Sequence, residues 1–273
     1  MNRYENGLEQ NSATNQKENA LALKVISFNI RNANDKDGNS VAERAPRLKK
    51  ILSLYDADVI GFQEYVPNWE PFITNDYGEA FELFIRQRAE SDPEASPILW
   101  RKDKFDCLKK GYFWLSDTPE TESRGWDEKY HCYRMCVYVI LRDKKTGTVF
   151  TFMNTHFGFG DSGQIASAKL LHEYSKKISP CPTVVVGDFN MTPQTKGYAA
   201  MTEHFVDVNA ATVNDLRTTY HGYHPEKHES HIDYCFVGEN IRPISQKIID
   251  DLVDGKYPSD HYGLYVRLEV TGK

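Results

Sequence analysis

The sequence lacks any apolar stretch near the roughly 20 residues that a membrane-spanning helix requires. It has no long run of lysines and arginines, and its formal net charge of −6 indicates no broad basic surface for polyanions. No internal repeat occurs, and no linker rich in proline, glycine or serine divides the chain. The first 20 residues contain no apolar core of a secretory signal. We therefore expect a cytoplasmic, monomeric protein without membrane insertion.

Cysteine chemistry is also disfavoured. No CxxC pair occurs among the five cysteines, which stand at positions Cys107, Cys132, Cys136, Cys181 and Cys235. Cys132 and Cys136 are four residues apart in a strand-like run that has no matching second pair. This pattern argues against both a zinc–thiolate site and a disulfide framework. The expected state is that of reduced thiols in the core.

The length and composition of the chain are compatible with one large α/β domain. The chain has 273 residues, of which 40% are hydrophobic and 12% aromatic, enough to build a substantial core with sheet faces. Residues 1–22 are polar and are predicted to be a disordered tail. Residues 23–270 are predicted to form a single domain.

Hydrophobic periodicity predicts two main helices and a larger number of strands. The helices are expected over residues 44–55 and 163–178, the second with Ser162 as its N-cap. The strands are expected over residues 23–30, 58–64, 81–87, 98–101, 133–141, 148–156, 183–186, 232–237 and 262–268. Helices and strands alternate only in part, which favours mixed sheets over a purely parallel one. Two polar segments, residues 90–96 and 116–130, are predicted to lie on the surface.

Polar residues recur at the ends of these apolar strands. The motifs SFN, GFQE, NTH, GDFN, IDY and SDH carry Asn29, Glu64, His156, Asp188, Asn190, Asp233, Asp260 and His261. Any one of these motifs alone would be an ordinary turn, cap or exposed strand end. Strand ends converge in space, and buried carboxylates there are costly unless they are paired or bind a metal. The whole set therefore predicts a catalytic site.

The residue types suit hydrolysis of a phosphate ester. A hard cation such as Mg²⁺, or Mn²⁺ in its place, takes oxygen ligands, for which Glu64 and Asp260 are candidates with Asn29 close by. Asp188 and Asn190 are two residues apart, which on an extended chain puts both on one side, where they would serve the attacking water and a phosphoryl oxygen. His156 and His261 can donate to phosphate oxygens, and Asp233 can orient one of them.

In this order, SFNIR, GFQE, NTH, GDFN, IDY and SDH resemble the endonuclease/exonuclease/phosphatase superfamily, from Lys24 to Leu268. The FNIRNANDKDGNS and YFWLSDTPETESRGWD stretches are most similar to a bacterial branch of undefined substrate. The resemblance implies a four-layer α/β sandwich, in which two mixed β-sheets pack face to face with helices outside. It implies that residues 23–270 are one catalytic domain of a metal-dependent phosphoric ester hydrolase.

The resemblance also implies a role for each residue. Glu64 would bind the metal with Asn29 and Asp260 beside it, and Asp188 would be the base or the group that orients water. Asn190 would bind phosphate, and His156 and His261 would donate to it, braced by Asp233 and Asp260 respectively. Arg31 and Arg134 would contact the substrate phosphate. The chain departs from the family pattern at two places that bear on substrate choice: His231 replaces an arginine before IDY, and Val41 and Ala42 stand where the branch has a tryptophan.

Three functions are compatible with these motifs. The first is a phosphomonoesterase or phosphodiesterase acting on a small phosphorylated sugar, inositol or lipid headgroup. The second is a DNA or RNA nuclease, and the third is a catalytically silent binding module, which would require a lost catalytic residue. Four aromatic residues could either stack on a base or sugar or plug the sheet edge: Tyr112, Phe113, Trp114 and Trp126.

Overall fold

The computed structural model describes residues 20–227 and 230–272. Its strands are β1 (Leu21–Asn29), β2 (Val59–Gln63), β3 (Phe81–Phe84), β4 (Gln87–Ala89), β5 (Asp92–Ala95), β6 (Ile98–Arg101), β7 (Phe105–Trp114), β8 (Met135–Asp143), β9 (Val149–His156), β10 (Thr183–Asp188), β11 (Val206–Asp207), β12 (Asp233–Val237), β13 (Ile241–Ile249) and β14 (Gly263–Val270). Its α-helices are α1 (Val41–Leu52), α2 (Glu70–Tyr77), α3 (Asp161–Ile178), α4 (Lys196–Thr202) and α5 (Val208–Thr212), and a 3₁₀ turn spans Pro67–Trp69. Within the described ranges, no helix is long and apolar enough to cross a membrane.

The strands form two six-stranded mixed sheets and one small hairpin. The first sheet has the order β13-β14-β1-β2-β6-β3, the second has the order β11-β12-β10-β9-β8-β7, and β4 pairs with β5. Each large sheet contains one parallel pair at its centre, β1 with β2 and β9 with β10, among antiparallel neighbours. The prediction of mixed sheets is therefore confirmed.

Three hydrophobic clusters show how the layers pack. One cluster lies between the sheets and joins side chains such as Val25 and Val266 of the first sheet to Val139 and Val184 of the second. A second cluster packs the outer face of the first sheet against α1, and a third packs the outer face of the second sheet against α3 and α4. This arrangement is the predicted four-layer sandwich, with two sheets inside and helices outside.

Strand register brings the polar strand ends to one edge of the sandwich. Asn29, the last residue of β1, pairs with Gln63, the last residue of the parallel strand β2. In the second sheet, Asp188 pairs with His156 on one side and with Asp233 on the other. Because the parallel strands of each sheet end together, the motifs at their ends meet although they are far apart in sequence.

A buried polar link joins the two sheets beneath this edge. Asn154 of β9 has no exposed surface, and its amide donates across the layers to the carbonyls of Phe62 (2.7 Å) and Pro97 (2.9 Å). Its side-chain oxygen accepts from Nε2 of Gln63 at 2.7 Å. Gly61 lets the sheets approach here, because a Cβ at that position would lie 2.9 Å from the Asn154 side chain. The link fixes the end of β9 against the end of β2.

Both predicted helices exist, but their N-termini differ from prediction. Helix α1 begins at Val41, where Ser40 and Glu43 form a capping box. The prediction rested on hydrophobic periodicity alone and therefore did not detect this N-terminal signal. Helix α3 begins at Asp161 with Gly160 as its N-cap, so the assignment of Ser162 as the cap is wrong. Ser162 lies inside the helix, and its hydroxyl donates to Glu128.

Two segments differ from their predicted structure. The expected strand 81–87 ends at Phe84, and residues 87–95 form the hairpin of β4 and β5, in which Glu94 is buried although the segment was predicted to be a surface loop. The predicted tail falls mainly on residues 1–19, which lie outside the described residues. Strand β1 already includes Leu21 and Ala22, which the prediction had placed in the tail.

Candidate active site

A cavity of about 610 Å³ opens at the edge where the strand ends meet. Eight of the ten predicted site residues line it, namely Arg31, Glu64, Arg134, His156, Asp188, Asn190, Asp260 and His261. The other two, Asn29 and Asp233, lie directly behind this lining and are hydrogen-bonded to it. The fold thus brings the predicted set together in one place, and the roles assigned to its members remain predictions.

Asp188 lies at the centre of the site. Its Oδ2 atom accepts a hydrogen bond from the amide of Asn29 at 3.0 Å and lies 3.6 Å from Nε2 of His156 and 3.7 Å from Nε2 of His261. Its Oδ1 atom accepts from the backbone N–H of Asn190 at 3.0 Å. A carboxylate held by several donors at the end of a rigid strand is well placed to orient a polar reactant.

The two histidines have different partners from those predicted. Nδ1 of His261 lies 2.9 Å from Asp233, which was expected to brace His156. Nδ1 of His156 instead lies 3.4 Å from Glu94, a residue not predicted for the site. Asp260 does not hold His261 as predicted, because Oδ2 of its carboxylate faces Nε of Arg31 at 3.5 Å. Each imidazole therefore has Nε2 near Asp188 and Nδ1 near a second buried carboxylate.

These pairings have electrostatic consequences. Burial alone would lower the pKa of His261, but the charge and hydrogen bond of Asp233, with the charges of Asp188 and Asp260, raise that pKa to about 10. Burial alone would raise the pKa of Glu94, but the hydrogen bond to His156 and the charges of Arg88, His156 and Arg134 lower it to about 2. At neutral pH, His261 is therefore a cationic donor and Glu94 a carboxylate.

The predicted metal ligand Glu64 shares the amide donor of Asn29 with Asp188. The carboxylate of Glu64 accepts from the Asn29 amide and from the backbone N–H of Asn32, both at 3.0 Å. Burial raises the pKa of Asp260; the charge of His261 opposes this rise, and that of Glu64 adds to it. Two neighbouring carboxylates that repel one another, one buried and one half-buried, are stabilised by a shared cation. Arg31 supplies part of that charge at 3.5 Å from Asp260 and 3.9 Å from Glu64.

The donor set fits a hard divalent cation. Among the described residues, two groups have ligand atoms within 4.8 Å of one another, Glu64–His156–Asp188 and Asp188–Asp233–His261. Asp260 belongs to neither group. Of the three residues predicted to lie at the metal, Glu64 is the one that belongs to such a group. Its neighbours offer mainly carboxylate oxygens, as Mg²⁺ or Mn²⁺ requires.

Three site residues adopt a left-handed backbone conformation that favours glycine. The φ angles are 63° at Arg31, 58° at Glu64 and 50° at Asn190. Each lies one or two residues beyond a strand end, so the chain turns sharply there, and each side chain lines the cavity. Asp188 and Asn190 therefore meet through a turn and not, as predicted, through an extended chain. The Asn190 amide contacts Nε2 of His156 and the carbonyl of Phe157, both at 3.0 Å.

Both predicted phosphate-binding arginines are held by carboxylates. Arg31 donates to Asp35 at 3.0 and 3.2 Å. Arg134 is buried and donates through Nε and Nη2 to Asp127, 3.0 Å away in each case. Fixed guanidinium groups suit recognition of phosphate oxygens, because little side-chain entropy is lost on binding.

Prediction missed several residues around the cavity. Arg88 pairs with Glu94 at 2.8 Å, and Asn32 donates to the same carboxylate at 2.9 Å. Asn32 directly follows the SFNIR motif, but Arg88 belongs to a segment without a motif, and the hairpin that carries Glu94 has the polar composition of a surface loop. Cys132, expected in a strand and a core, lies in the loop before β8 and lines the cavity.

The aromatic cluster serves the core. Phe113 stacks on Tyr174, with ring centroids 4.1 Å apart, and the indole of Trp114 donates to the carbonyl of Arg88 at 2.8 Å. Neither these residues nor Tyr112 and Trp126 are among the residues that line the cavity. The plug interpretation is therefore the better one. Tyr130 and Phe159 line the cavity instead, with the Lys129 ammonium 4.8 and 4.6 Å from their ring centroids.

This fold and this site define a hydrolase of the phosphoesterase and nuclease class. Residues 26–261 match the model of the Endonuclease/Exonuclease/phosphatase family, so the chain belongs to that family. Its members act on phosphoester bonds, and they generally depend on a divalent metal. The family predicted from the strand-end motifs is thereby confirmed.

Solved structures agree with this assignment. An endonuclease/exonuclease/phosphatase family protein from Bacteroides thetaiotaomicron is 28% identical, with a TM-score of 0.84 over 92% of this chain and 98% of that one. A mannosyl-6-phosphatase from the same organism is also 28% identical, with a TM-score of 0.79 over 90% and 99%. D. rerio TDP2, complexed with a single-strand DNA product, shares the fold at 18% identity, with a TM-score of 0.71 over 90% and 98%.

One curated relative matches over a shorter region. An uncharacterized protein of Acanthamoeba polyphaga mimivirus is 25% identical over 244 residues, 74% of this chain. The match spans only 35% of the length of that viral protein.

Proposed function

We propose that the protein is a metal-dependent phosphoesterase that hydrolyses the phosphate ester of a small molecule, such as a sugar, inositol or lipid headgroup, by in-line attack of water. The observation that carries the proposal is the position of Asp188, whose Oδ2 lies within 3.7 Å of two imidazole Nε2 atoms and accepts from Asn29. A base surrounded by phosphate-directed donors suits displacement at phosphorus.

Each residue has a stated part in this proposal. Asp188 orients the attacking water and accepts its proton, and Asn190 holds a phosphoryl oxygen. The cationic His261 and the neighbouring His156 donate to oxygens that gain charge in the transition state. Glu64 holds the divalent cation, with Asp260 and Asn29 beside it. When bound, that cation offsets charge on the phosphoryl and leaving oxygens.

The arginines support a phosphate-bearing substrate. Arg31 and Arg134 both line the cavity, and each is fixed by a carboxylate of its own. A cavity of about 610 Å³ has room for a small ligand. The mannosyl-6-phosphatase likeness, at 28% identity over nearly the whole of both chains, supports a phosphorylated sugar as the first substrate to test.

A nuclease is the second candidate, and a specific surface favours it. Lys129, Tyr130 and Phe159 line the cavity together, and Tyr130 is 56% exposed. Such a combination of aromatic rings and a cation suits stacking of a base beside a phosphate backbone.

The deciding experiment is a panel assay on the purified protein, with and without Mg²⁺. The panel contains sugar and inositol phosphomonoesters, a phosphodiester headgroup, single-stranded DNA and RNA, and duplex DNA. Fastest turnover of a small ester supports the proposal, and fastest cleavage of a nucleic acid supports the second candidate. An Asp188→Asn variant prepared in parallel excludes a contaminating hydrolase. Inactivity on the whole panel with Mg²⁺ and with Mn²⁺ would count against both.

A further inference from the structure

A buried arginine lies directly beneath the substrate side of the site. Arg44 of α1 has no exposed surface, and it makes no ion pair with any described carboxylate. Its guanidinium donates instead to four backbone carbonyls, those of Ile30, Arg31, Ala33 and Asn39, at 2.5 to 3.0 Å. All four belong to the turn that follows β1. A buried charge with this many partners organises the backbone around it.

One of these carbonyls belongs to a strained residue. Arg31 has a φ of 63°, a left-handed conformation that residues other than glycine rarely adopt. Its carbonyl accepts from Nη2 of Arg44 and from the indole N–H of Trp69, both at 3.0 Å. Trp69 is itself fully buried, with its ring 5.2 Å from the Arg44 guanidinium. Two donors from two separate elements therefore clamp the same peptide.

This clamp determines where the Arg31 side chain goes. In an extended conformation, Arg31 would lie on the same face as Asn29 and farther along the direction of β1. The left-handed turn instead directs the Arg31 guanidinium over the cavity, towards Asp35, Asp260 and Glu64. Asp35 can hold the guanidinium only if the turn keeps its shape.

We propose that Arg44 and Trp69 are positioning residues, which act on substrate binding through the clamped carbonyl of Arg31. The inference rests on the proposed function, since it takes Arg31 as a contact to the substrate phosphate. It adds that this contact depends on two buried residues that do not line the cavity. Without them, the peptide relaxes, and the guanidinium loses its fixed position over the site.

The chain offers a matched control. Arg47, on the same helix and also buried, donates to the carbonyls of Gly38 and Tyr257 and to the side chain of Asn39, but to no atom of Arg31. Arg47→Lys therefore repeats the chemical change at a similar burial without removing a donor from the Arg31 carbonyl, although Arg47 and Arg44 share Asn39 as a partner. Trp69→Phe is the second probe, because it keeps an aromatic side chain and removes the N–H that reaches Arg31. The smaller ring also leaves a cavity in the core, so the melting temperature is measured beside both readouts.

The test is a double-mutant cycle with two readouts, kcat/KM on the best substrate of the panel and the affinity of inorganic phosphate measured by calorimetry. Arg31→Ala should lower both by about tenfold to a hundredfold, the value of a charge-assisted hydrogen bond. Arg44→Lys should lower them by a similar factor and Trp69→Phe by a smaller one. Neither should lower them much further in the Arg31→Ala background. Arg47→Lys should leave both within about threefold.

Two results would overturn the proposal. In the first, the factor lost in Arg44→Lys or Trp69→Phe is lost in full again when the same change is made in the Arg31→Ala background. In the second, Arg44→Lys and Trp69→Phe lower the melting temperature but leave kcat/KM and phosphate affinity unchanged. If Arg44→Lys does not fold, Trp69→Phe alone decides between these outcomes. Failure of the proposed function is a different result, namely a wild-type protein that hydrolyses no phosphate ester. The phosphate affinities still test the clamp in that case.

Discussion

At the scale of single residues, the site is organised around one carboxylate. Asp188 receives donors from Asn29 and Asn190 and faces the imidazoles of His156 and His261. Its neighbours are themselves held by buried partners, so the geometry is preorganised and little rearrangement accompanies reaction. The most informative substitutions are therefore those that change charge and keep shape.

Asp188→Asn should lower kcat by about 10²–10⁴-fold or more, because the amide cannot accept the proton of the attacking water. The variant keeps an oxygen for the N–H of Asn190, so the fold should persist. Steady-state kinetics and a melting curve together check this prediction. A near-normal kcat with a lowered melting temperature would show that Asp188 is a structural cap.

Asp233→Asn should shift the alkaline limb of the pH–rate profile. In the native protein, Asp233 helps to raise the pKa of His261 to about 10, so the imidazolium persists through neutral pH. Without that charge, burial dominates and the pKa falls, so activity should be lost at a lower pH. The measurement is kcat/KM against pH at saturating Mg²⁺. An unchanged limb would mean that His261 does not act as a cationic donor.

The same ionisation has a stability counterpart with a defined sign. The folded-state pKa of His261 lies above the unfolded value of about 6.5, so its contribution is fully present below that pH. It is lost as the pH rises through about 10. Asp233→Asn should therefore flatten the dependence of the melting temperature on pH across this window, which serves as a control independent of turnover.

At the scale of elements, the central strands were predictable, and of the edge strands of the two large sheets only β3 was. Strands β1, β2, β9 and β10 are almost continuously apolar because both faces are covered, and their polar ends stand out. Strands β7 and β13 lie at sheet edges and were missed. β7 carries Lys109 and Lys110 on exposed positions, and β13 contains Pro243 at a register shift. Such residues protect edges from pairing and also hide the strand pattern.

The link between the two sheets gives a prediction at this scale. Asn154→Leu removes three inter-sheet hydrogen bonds and leaves the carbonyls of Phe62 and Pro97 and the amide of Gln63 without that partner. The loss of three buried hydrogen bonds, each worth about 1 kcal/mol, should lower the free energy of unfolding by about 3 kcal/mol. Urea denaturation monitored by circular dichroism measures the change.

Thr151 on the same strand provides the control for that experiment. It is equally buried, and its hydroxyl has no hydrogen-bond partner among the described residues. Thr151→Val keeps the volume and should leave stability unchanged or slightly increased. If both variants were equally destabilised, the loss would reflect general intolerance of β9 to substitution and not the link between the sheets.

At the scale of the whole molecule, the sequence predicted which residues meet but not how they pair. Asp188, His156 and His261 follow from strand ends, because the fold gathers such ends whatever its details. The partner of each imidazole depends on side-chain direction within about 4 Å, which no spacing encodes. Glu94 illustrates the limit. It reaches the site from a hairpin that has no motif and is held there by Arg88 and Asn32, two contacts that only the folded chain creates.

The charge of the assembled cavity leads to the last prediction. Four carboxylates line it, those of Glu64, Glu94, Asp188 and Asp260, and they offset the charges of Arg31, Arg88, Lys129 and Arg134 in the same lining. A lining of nearly balanced charge holds a phosphate dianion weakly unless a further cation is bound. Chelation should therefore abolish turnover, and added Mg²⁺ or Mn²⁺ should restore it. Because a cation that binds only the folded state stabilises it, Mg²⁺ should also raise the melting temperature, and Glu64→Gln should need more Mg²⁺ for both effects. Calorimetry of the chelated protein titrated with Mg²⁺ measures binding without turnover. Full activity of the metal-free protein, or an identical Mg²⁺ response in Glu64→Gln, would show that Glu64 does not hold a cation.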